Sequence, residues 1–145
     1  MTTYLYIDSS ALVKTLRAEP ETAALLEFLP SVRAPVVTSQ ITITELHRAA
    51  RWYDLPAAEV ERRLAELDMV PVSRAQLLTA GLLPDPPTPS GTGLRSLDAI
   101  HLAAAIGVES DAFLTYDLNQ SRAARAAGLS VLHPGRPDAW YRWAR

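Results

Sequence analysis

Four acidic residues stand where an α/β protein gathers its functional groups: Asp8, Glu45, Asp98 and Asp117. Asp8 and Asp117 each follow a predicted strand. Glu45 lies early in the predicted helix after the second strand, and Asp98 lies in the first turn of a later helix. Because parallel strands end at one edge of their sheet, and ligands bind at that edge, we expect these carboxylates to converge there.

Carboxylates that converge need a cation between them. Free Asp and Glu side chains have pKa values of ~4, so the four would be ionised at neutral pH. Two unit charges ~4 Å apart repel by roughly 4 kcal/mol at an effective dielectric constant of 20. Mg²⁺ prefers carboxylate and water ligands, and such an ion can activate water, orient a phosphate and stabilise its leaving oxygen. The set therefore predicts phosphodiester hydrolysis without a covalent intermediate, with Ser10 and Thr115 as hydrogen-bonding partners of ligand oxygens or of metal-bound water.

Each of these residues also has an ordinary structural interpretation. An Asp directly after a strand commonly caps the next helix. Glu45 shares a predicted helix face with apolar residues, among them Trp52, which is unusual for an unpaired Glu, but it could equally pair with Arg48 at i+3. His101, at i+3 from Asp98, is expected to be packed or hydrogen-bonded in the core rather than to bind a metal.

Helices and strands alternate along the chain. Short runs rich in β-branched and apolar residues predict strands at 4–7, 36–38, 69–72, 112–116 and 130–132. Amphipathic spacing predicts helices at 11–16, 20–29, 40–53, 56–67, 73–83, 96–108 and 118–127. This order predicts an α/β protein, a three-layer α/β/α sandwich with a central parallel sheet of about five short strands. A proline within the third predicted strand places that strand at or near an edge of the sheet.

Composition limits the classes of protein to which this chain can belong. Its 145 residues fit one domain, 1–145, and 48% of them are hydrophobic, enough for a core. There is no cysteine, which excludes disulfides and thiolate chemistry and fits a cytoplasmic protein. The net charge of −2 creates no global basic field, so a nucleic acid would have to be attracted by a local patch or by metal ions. Neither a membrane span nor a signal peptide is predicted.

Two segments fall outside the predicted helices and strands. Residues 84–93 contain four prolines and two glycines, which predicts a loop directly before the Asp98 helix. That loop could cover the acidic pocket or be a passive surface loop. The segment 133–145 carries Trp140, Tyr141 and Trp143, which could cover the core or form an oligomer contact.

Four segments resemble the motifs of PIN domains, particularly those of the toxins of VapBC toxin–antitoxin pairs. Residues 8–14, Asp-Ser-Ser-Ala-Leu-Val-Lys, resemble the first motif, and Val-Thr-Ser at 37–39 followed by Glu45 resembles the second. Residues 97–103, Leu-Asp-Ala-Ile-His-Leu-Ala, resemble the third. Leu-Thr-Tyr-Asp at 114–117, with the alanines and Gly-Leu that follow, resembles the fourth. The similarity covers nearly the whole chain, in order.

The resemblance implies an endoribonuclease that depends on one or two Mg²⁺ or Mn²⁺ ions. Its acidic set would be Asp8, Glu45, Asp98 and Asp117. It also implies a homodimer and inhibition by a small VapB-like antitoxin that inserts into the active-site groove, with tRNA, ribosomal RNA or mRNA as substrate. From their distance to Glu45 along the helix, Arg48 and Arg51 are predicted to hold RNA phosphates.

Two departures from the family pattern affect these expectations. The loop 84–93 is longer than expected, so substrate access could differ. Position 119 is Asn, where some relatives carry a further acid, so a second metal would bind weakly or not at all.

Three other protein classes compete with this interpretation. A phosphoacceptor receiver domain needs an acidic pair after the first strand and a late lysine, but the only lysine is Lys14. A haloacid-dehalogenase-type phosphatase needs Asp-x-Asp, and Ser10 stands at the second position. The main alternative is a non-catalytic PIN-like module that binds RNA or a protein. An assay for metal-dependent RNA cleavage by the isolated protein distinguishes this module from a nuclease.

Overall fold

A parallel sheet of five strands forms the centre of the structure, a computed structural model that describes residues 3–86 and 93–137. The strands are β1 (Leu5–Ile7), β2 (Val36–Ser39), β3 (Asp68–Val70), β4 (Ala112–Leu114) and β5 (Ser130–Leu132). Their order across the sheet is β3-β2-β1-β4-β5, and every neighbouring pair is parallel. The prediction of about five short parallel strands is confirmed, and β3 lies at an edge as predicted.

Helices follow the strands in sequence and cover both faces of the sheet. They are α1 (Ser9–Leu16), α2 (Thr22–Phe28), α3 (Ile41–Trp52), α4 (Ala57–Leu64), α5 (Arg74–Leu82), α6 (Ser96–Gly107) and α7 (Leu118–Ala126). A short 3₁₀ turn, Leu29–Ser31, extends α2. Within the described residues no helix is both long and apolar enough to cross a membrane.

The two faces of the sheet bury two separate cores. Side chains alternate along β1, so Leu5 and Ile7 pack with the first four helices while Tyr6 packs on the opposite face. On that opposite face Tyr6 stacks on Phe113, with 5.0 Å between ring centroids, beneath α6 and α7. Helix α5 packs against α6 through small alanine side chains. This arrangement confirms the α/β/α sandwich and fixes the strand ends that carry the acidic residues.

The predictions for the 84–93 loop and the C-terminal tail fall largely on residues that the structure does not describe. Residues 87–92 and 138–145, including Trp140, Tyr141 and Trp143, lie outside the described residues. At the base of the loop, the carboxylate of Asp85 accepts a hydrogen bond from the Leu94 N–H at 2.8 Å, which ties the loop's two ends together.

Candidate active site

The four acidic residues predicted from sequence line one cleft of about 200 Å³ at the carboxyl edge of the sheet. Asp8 follows the central strand β1, and Asp117 lies two residues beyond Thr115, just past its neighbour β4. Glu45 projects from the second turn of α3, and Asp98 from the first turn of α6. Four separate segments of the chain therefore contribute one carboxylate each to the same cleft.

Asp8 is the most deeply buried of the four, with 3% of its surface exposed. Its Oδ1 caps helix α1 by accepting the Ala11 N–H at 3.1 Å, and it also accepts the Ser10 hydroxyl at 2.7 Å. The Thr115 hydroxyl donates to its Oδ2. Burial raises the pKa of Asp8 to about 6, although His101 and these hydrogen bonds act to lower it. Asp8 is thus held firmly but keeps a charge that its surroundings only partly compensate.

Asp98 and Asp117 share one guanidinium group. Arg95 Nε lies 3.0 Å from Asp98 Oδ2, and Arg95 Nη2 lies 3.6 Å from Asp117 Oδ2. Burial raises the pKa of Asp98, and Arg95 opposes that rise. Asp117 Oδ1 caps α7 by accepting the Gln120 N–H at 2.8 Å, while the Gln120 side chain donates to the Asp98 carbonyl at 2.9 Å. The starts of α6 and α7 are therefore joined.

Glu45 is held by a chain of hydrogen bonds that runs through the core. Its Oε1 lies 2.6 Å from His101 Nε2, and the Tyr6 hydroxyl lies 2.7 Å from His101 Nδ1. The Ser39 N–H donates to the same tyrosine oxygen at 3.0 Å. Because a carboxylate only accepts, His101 donates through Nε2, and a neutral ring then accepts the tyrosine proton at Nδ1. On the cleft side, Ser9 donates to Glu45 Oε2 at 2.9 Å.

These contacts decide between the interpretations left open by sequence. His101 is 1% exposed and hydrogen-bonded in the core, as predicted, but it also supports a cleft carboxylate. Glu45 pairs with His101 and Ser9 instead of with Arg48, which forms no ion pair in the described part of the chain. Asp8 and Asp117 do cap helices, so capping and a place in the cleft are compatible.

A family model described as PIN domain matches residues 5–126 of this chain. The chain belongs to the PIN domain family. Its sequence is 40% identical over 134 residues to Ribonuclease VapC46 of Mycobacterium tuberculosis, covering 90% of this chain and 97% of that protein. It is 39% identical over 140 residues to Ribonuclease VapC35 of the same species, covering 91% and 98%.

Solved structures share the fold of this PIN domain at low sequence identity. The crystal structure of Mycobacterium tuberculosis VapC20, a Sarcin-Ricin loop cleaving toxin, is 14% identical with a TM-score of 0.70, over 90% of this chain and 99% of that one. VapBC2 from Rickettsia felis, bound to a DNA fragment from its promoter, is also 14% identical, with a TM-score of 0.65 over 91% and 99%.

The residues predicted to support the PIN-domain site lie in three different places. Ser10 lines the cleft, whereas Thr115 is fully buried and does not line it. Both hydroxyls donate to Asp8, so the contact that the structure shows is with that carboxylate. Asn119 is half-buried in the first turn of α7 and is not among the residues that line the cleft. Arg48 and Arg51 lie in a neighbouring pocket on α3.

Two polar residues of the cleft, Ser9 and Arg95, are not among the site residues predicted from sequence. The sequence offers Ser9 as a helix cap or part of a motif, and its bond to Glu45 depends on how α1 packs against α3. Arg95 lies three residues before Asp98, a spacing that could have indicated the pair because i,i+3 side chains are neighbours on a helix.

The donor set fits a hard divalent cation in kind, because carboxylate oxygens are the ligands that Mg²⁺ and Mn²⁺ prefer. The positions of the described side chains, in contrast, do not match a preformed metal site. Among residues 3–86 and 93–137, no three Asp, Glu or His side chains are grouped closely enough to hold a metal ion as they stand. Arg95 supplies the positive charge to Asp98 and Asp117 instead. The cleft therefore has ligand types suited to a metal ion, but its carboxylates are paired with separate protein groups.

The raised pKa of Asp8 predicts how stability depends on pH without divalent metal. Since the pKa of a free Asp is near 3.8 and that of folded Asp8 is about 6, the folded state binds more protons between these values, and stability falls as pH rises through them. Asp8→Asn keeps a good helix cap and removes the charge. We expect the variant to be more stable than the wild type by about 1–3 kcal/mol at pH 7, and the difference to vanish near pH 4.

Urea unfolding at pH 4 to 8 in a chelator measures this difference. The exposed Asp68→Asn is the matched control and should leave the pH profile unchanged. If Asp8→Asn raised the free energy of unfolding equally at pH 4 and pH 7, the buried charge would not be the cause of the stabilisation.

Proposed function

We propose that this PIN domain is a Mg²⁺- or Mn²⁺-dependent endoribonuclease toxin that hydrolyses RNA phosphodiester bonds. The observation that carries the proposal is the cleft itself, where four segments of the chain each contribute one carboxylate. It is supported by relatives at 36–40% identity, aligned over nearly their whole length, that are named ribonucleases. A ribonuclease that acts on cellular RNA works in the cytoplasm, and the absence of cysteine is compatible with that compartment.

The contacts in the cleft favour attack by water over attack by a protein nucleophile. The hydroxyls of Ser9 and Ser10 donate to Glu45 and Asp8. Both nitrogens of His101 are engaged, one by Tyr6 and one by Glu45. A serine nucleophile needs a base that is free to take its proton, and this imidazole is already bound on both sides.

The four acidic residues share one role in the proposed site, and the structure shows how two of them are positioned. Asp8, Glu45, Asp98 and Asp117 would hold one or two ions, which supply Lewis-acid activation of water and charge neutralisation at the phosphate when bound. Asp8 is fixed in place by its backbone and hydroxyl donors, and Glu45 by His101. Arg48 and Arg51, in the neighbouring pocket, would hold RNA phosphates.

One observation favours the alternative of a non-catalytic PIN module that binds RNA or a protein. Arg95 contacts two of the four acids, so its guanidinium group could satisfy them permanently. However, the Arg95 side chain is 77% exposed, although that of Asp98 is only 15% exposed. Solvent therefore screens the guanidinium group, as it does in surface ion pairs, whose median contribution is about 0–1 kcal/mol. A divalent ion could therefore displace it readily, which leaves the nuclease as the better supported function.

The direct test expresses the wild type and Asp98→Asn in bacteria and sequences the 5′ ends of cellular RNA. We expect growth arrest and discrete new RNA ends from the wild type, and a loss of cleavage of 10²-fold or more from the variant, because a removed metal ligand also removes transition-state stabilisation. The matched control Asp68→Asn should cleave like the wild type. New ends that are equally abundant with Asp98→Asn, or cleavage that persists in a chelator, would contradict the proposal.

The contact of Arg95 with two acids predicts competition between its guanidinium and the metal. A ligand of the native state raises the melting temperature, so the metal concentration that gives half of the maximal rise reports affinity. Arg95→Gln should lower that concentration roughly two- to fivefold, in keeping with the modest strength of an exposed ion pair. Arg74→Gln, an exposed arginine on α5, is the control. An unchanged or weaker metal affinity in Arg95→Gln would show that the two cations do not compete.

An exposed leucine surface supports the proposal of protein partners. Helices α5 and α6 present Leu77, Leu78, Leu82 and Leu97 to solvent, and Leu97 precedes Asp98 in the cleft. Several large exposed apolar side chains on two helices that pack against each other favour an interaction site. We propose that the chain forms a homodimer and binds a VapB-like antitoxin that blocks the cleft.

Two measurements test these partners. Sedimentation equilibrium of the purified 15.8 kDa chain should give twice that mass at micromolar concentration. A small protein that copurifies from the native host should stop RNA cleavage when added back to the purified chain. A monomeric mass at every concentration would contradict the proposed homodimer. Full nuclease activity in the presence of each copurified protein would contradict the proposed inhibition by an antitoxin.

A further inference from the structure

A pocket next to the acidic cleft combines an exposed aromatic side chain with two arginines. Arg48, Arg51 and Trp52 line this pocket of about 370 Å³ at the end of α3. The Trp52 side chain is 84% exposed. As the spacing predicts, Trp52 lies on the same row of α3 as Glu45, but this row is not the buried face of the helix, which is made by Thr42, Leu46 and Ala50.

The pocket and the cleft lie along the same face of one helix. Glu45, Ala49 and Trp52 are spaced i, i+4 and i+7, which places them in one row on α3. Glu45 and Ala49 line the acidic cleft, and Trp52 lines the pocket. At 1.5 Å of rise per residue, the indole is attached roughly 10 Å along the helix from Glu45. A ligand leaving the cleft along α3 therefore reaches Trp52.

The two arginines of this pocket lie three residues apart on one helix, and neither forms an ion pair with a described carboxylate. On the neighbouring helix α4, Arg62 lies 2.9 Å from Glu59 and Arg63 lies 2.8 Å from Glu66. Arg48 and Arg51 form no such ion pair with any carboxylate in residues 3–86 or 93–137. In a chain of net charge −2, this is a local positive patch beside an acidic cleft.

We propose that Arg48, Arg51 and Trp52 form a subsite for one unpaired nucleotide of the RNA substrate. The indole stacks on the base, and the guanidinium groups hold the flanking phosphates. Aromatic stacking accepts every base because each has a π-face, and arginines beside it track the backbone. This inference rests on the proposed ribonuclease function and adds that the RNA is single-stranded, with an unstacked base, a fixed distance from the cut.

The surroundings of Trp52 favour RNA over a protein as the occupant. The next aromatic residue, Tyr53, is already covered by Arg17, whose guanidinium carbon lies 4.1 Å from the ring centroid. Trp52 is flanked instead by cations without carboxylate partners in the described ranges, which is complementary to a polyanion that carries π-faces. The apolar surface that a protein would cover is the separate leucine surface on α5 and α6.

The experiment measures RNA affinity in the Asp98→Asn background, in which the probe is not cut. Two fluorescent probes are compared, a single strand of about ten ribonucleotides and the same sugar–phosphate backbone without bases. Fluorescence anisotropy is recorded for Trp52→Ala, Trp52→Phe, Arg48→Gln and Arg51→Gln over a range of salt concentrations. Leu26→Ala, which alters a 40% exposed apolar residue on α2, and Arg33→Gln, which removes an exposed charge before β2, are the controls.

The subsite predicts different effects from the two kinds of residue. Trp52→Ala should weaken binding of the base-bearing strand by roughly fivefold or more while leaving the abasic probe unchanged. Trp52→Phe should restore most of that loss, since a phenyl ring also stacks. Arg48→Gln and Arg51→Gln should weaken both probes alike and each reduce the salt slope by about 0.7. Both controls should bind like the parent protein.

Three results would overturn the subsite. Equal weakening of both probes by Trp52→Ala would exclude stacking, and unchanged affinity for both would exclude Trp52 from RNA binding. Loss of binding to the copurified antitoxin alone would make Trp52 a protein contact. In each case metal-dependent cleavage by the wild type would leave the proposed function intact. A wild type that neither cleaves nor binds RNA would instead remove the proposed function.

Discussion

The buried charge of Asp8, at the end of the central strand, is the constraint on which the rest of the cleft depends. Withdrawing a carboxylate from water is expensive unless donors replace the lost hydration. Here the donors come from α1, through the Ala11 N–H and the Ser10 hydroxyl, and from the segment after β4, through Thr115. The pKa of Asp8 still rises to about 6, so compensation is incomplete. A cation bound beside Asp8 would compensate the remainder of this charge.

The remaining acids are compensated in two contrasting ways. Glu45 is tied to His101, which is buried and bonded in turn to Tyr6, so its position follows from core packing. Asp98 and Asp117 rely on Arg95, whose side chain is largely in solvent. Buried hydrogen-bond networks are rigid, whereas an exposed ion pair exchanges easily with ions from solution. One wall of the cleft is therefore held by core contacts and the other by a solvent-exposed arginine, and among residues 3–86 and 93–137 the acids surround one cleft without forming a metal cluster.

The sequence predicted those features that depend on local pattern. Alternating helices and strands specify the sandwich, and strand ends bring Asp8 and Asp117 to one edge of the sheet. What it could not predict depends on which face of a helix packs inward. On α3 the buried row includes Thr42, whose hydroxyl is satisfied by Thr38 at 2.7 Å, while Trp52 remains in solvent. Helical spacing identifies the rows but not the buried one, because tertiary packing overrides hydrophobicity at single positions.

In the proposed nucleotide subsite, the rigidity of α3 makes the position of Trp52 a constraint on the substrate. Glu45 is anchored at one end through His101, and Trp52 lies on the same row near the other. Because a helix does not stretch, the distance between the acidic cleft and the proposed stacking surface is set by its rise, roughly 10 Å over seven residues. An RNA duplex cannot place an unstacked base at such a point, whereas a loop can. The protein would therefore discriminate among RNA substrates by their fold around the cut as well as by their sequence, because the length of α3 sets the distance at which the unstacked base must lie.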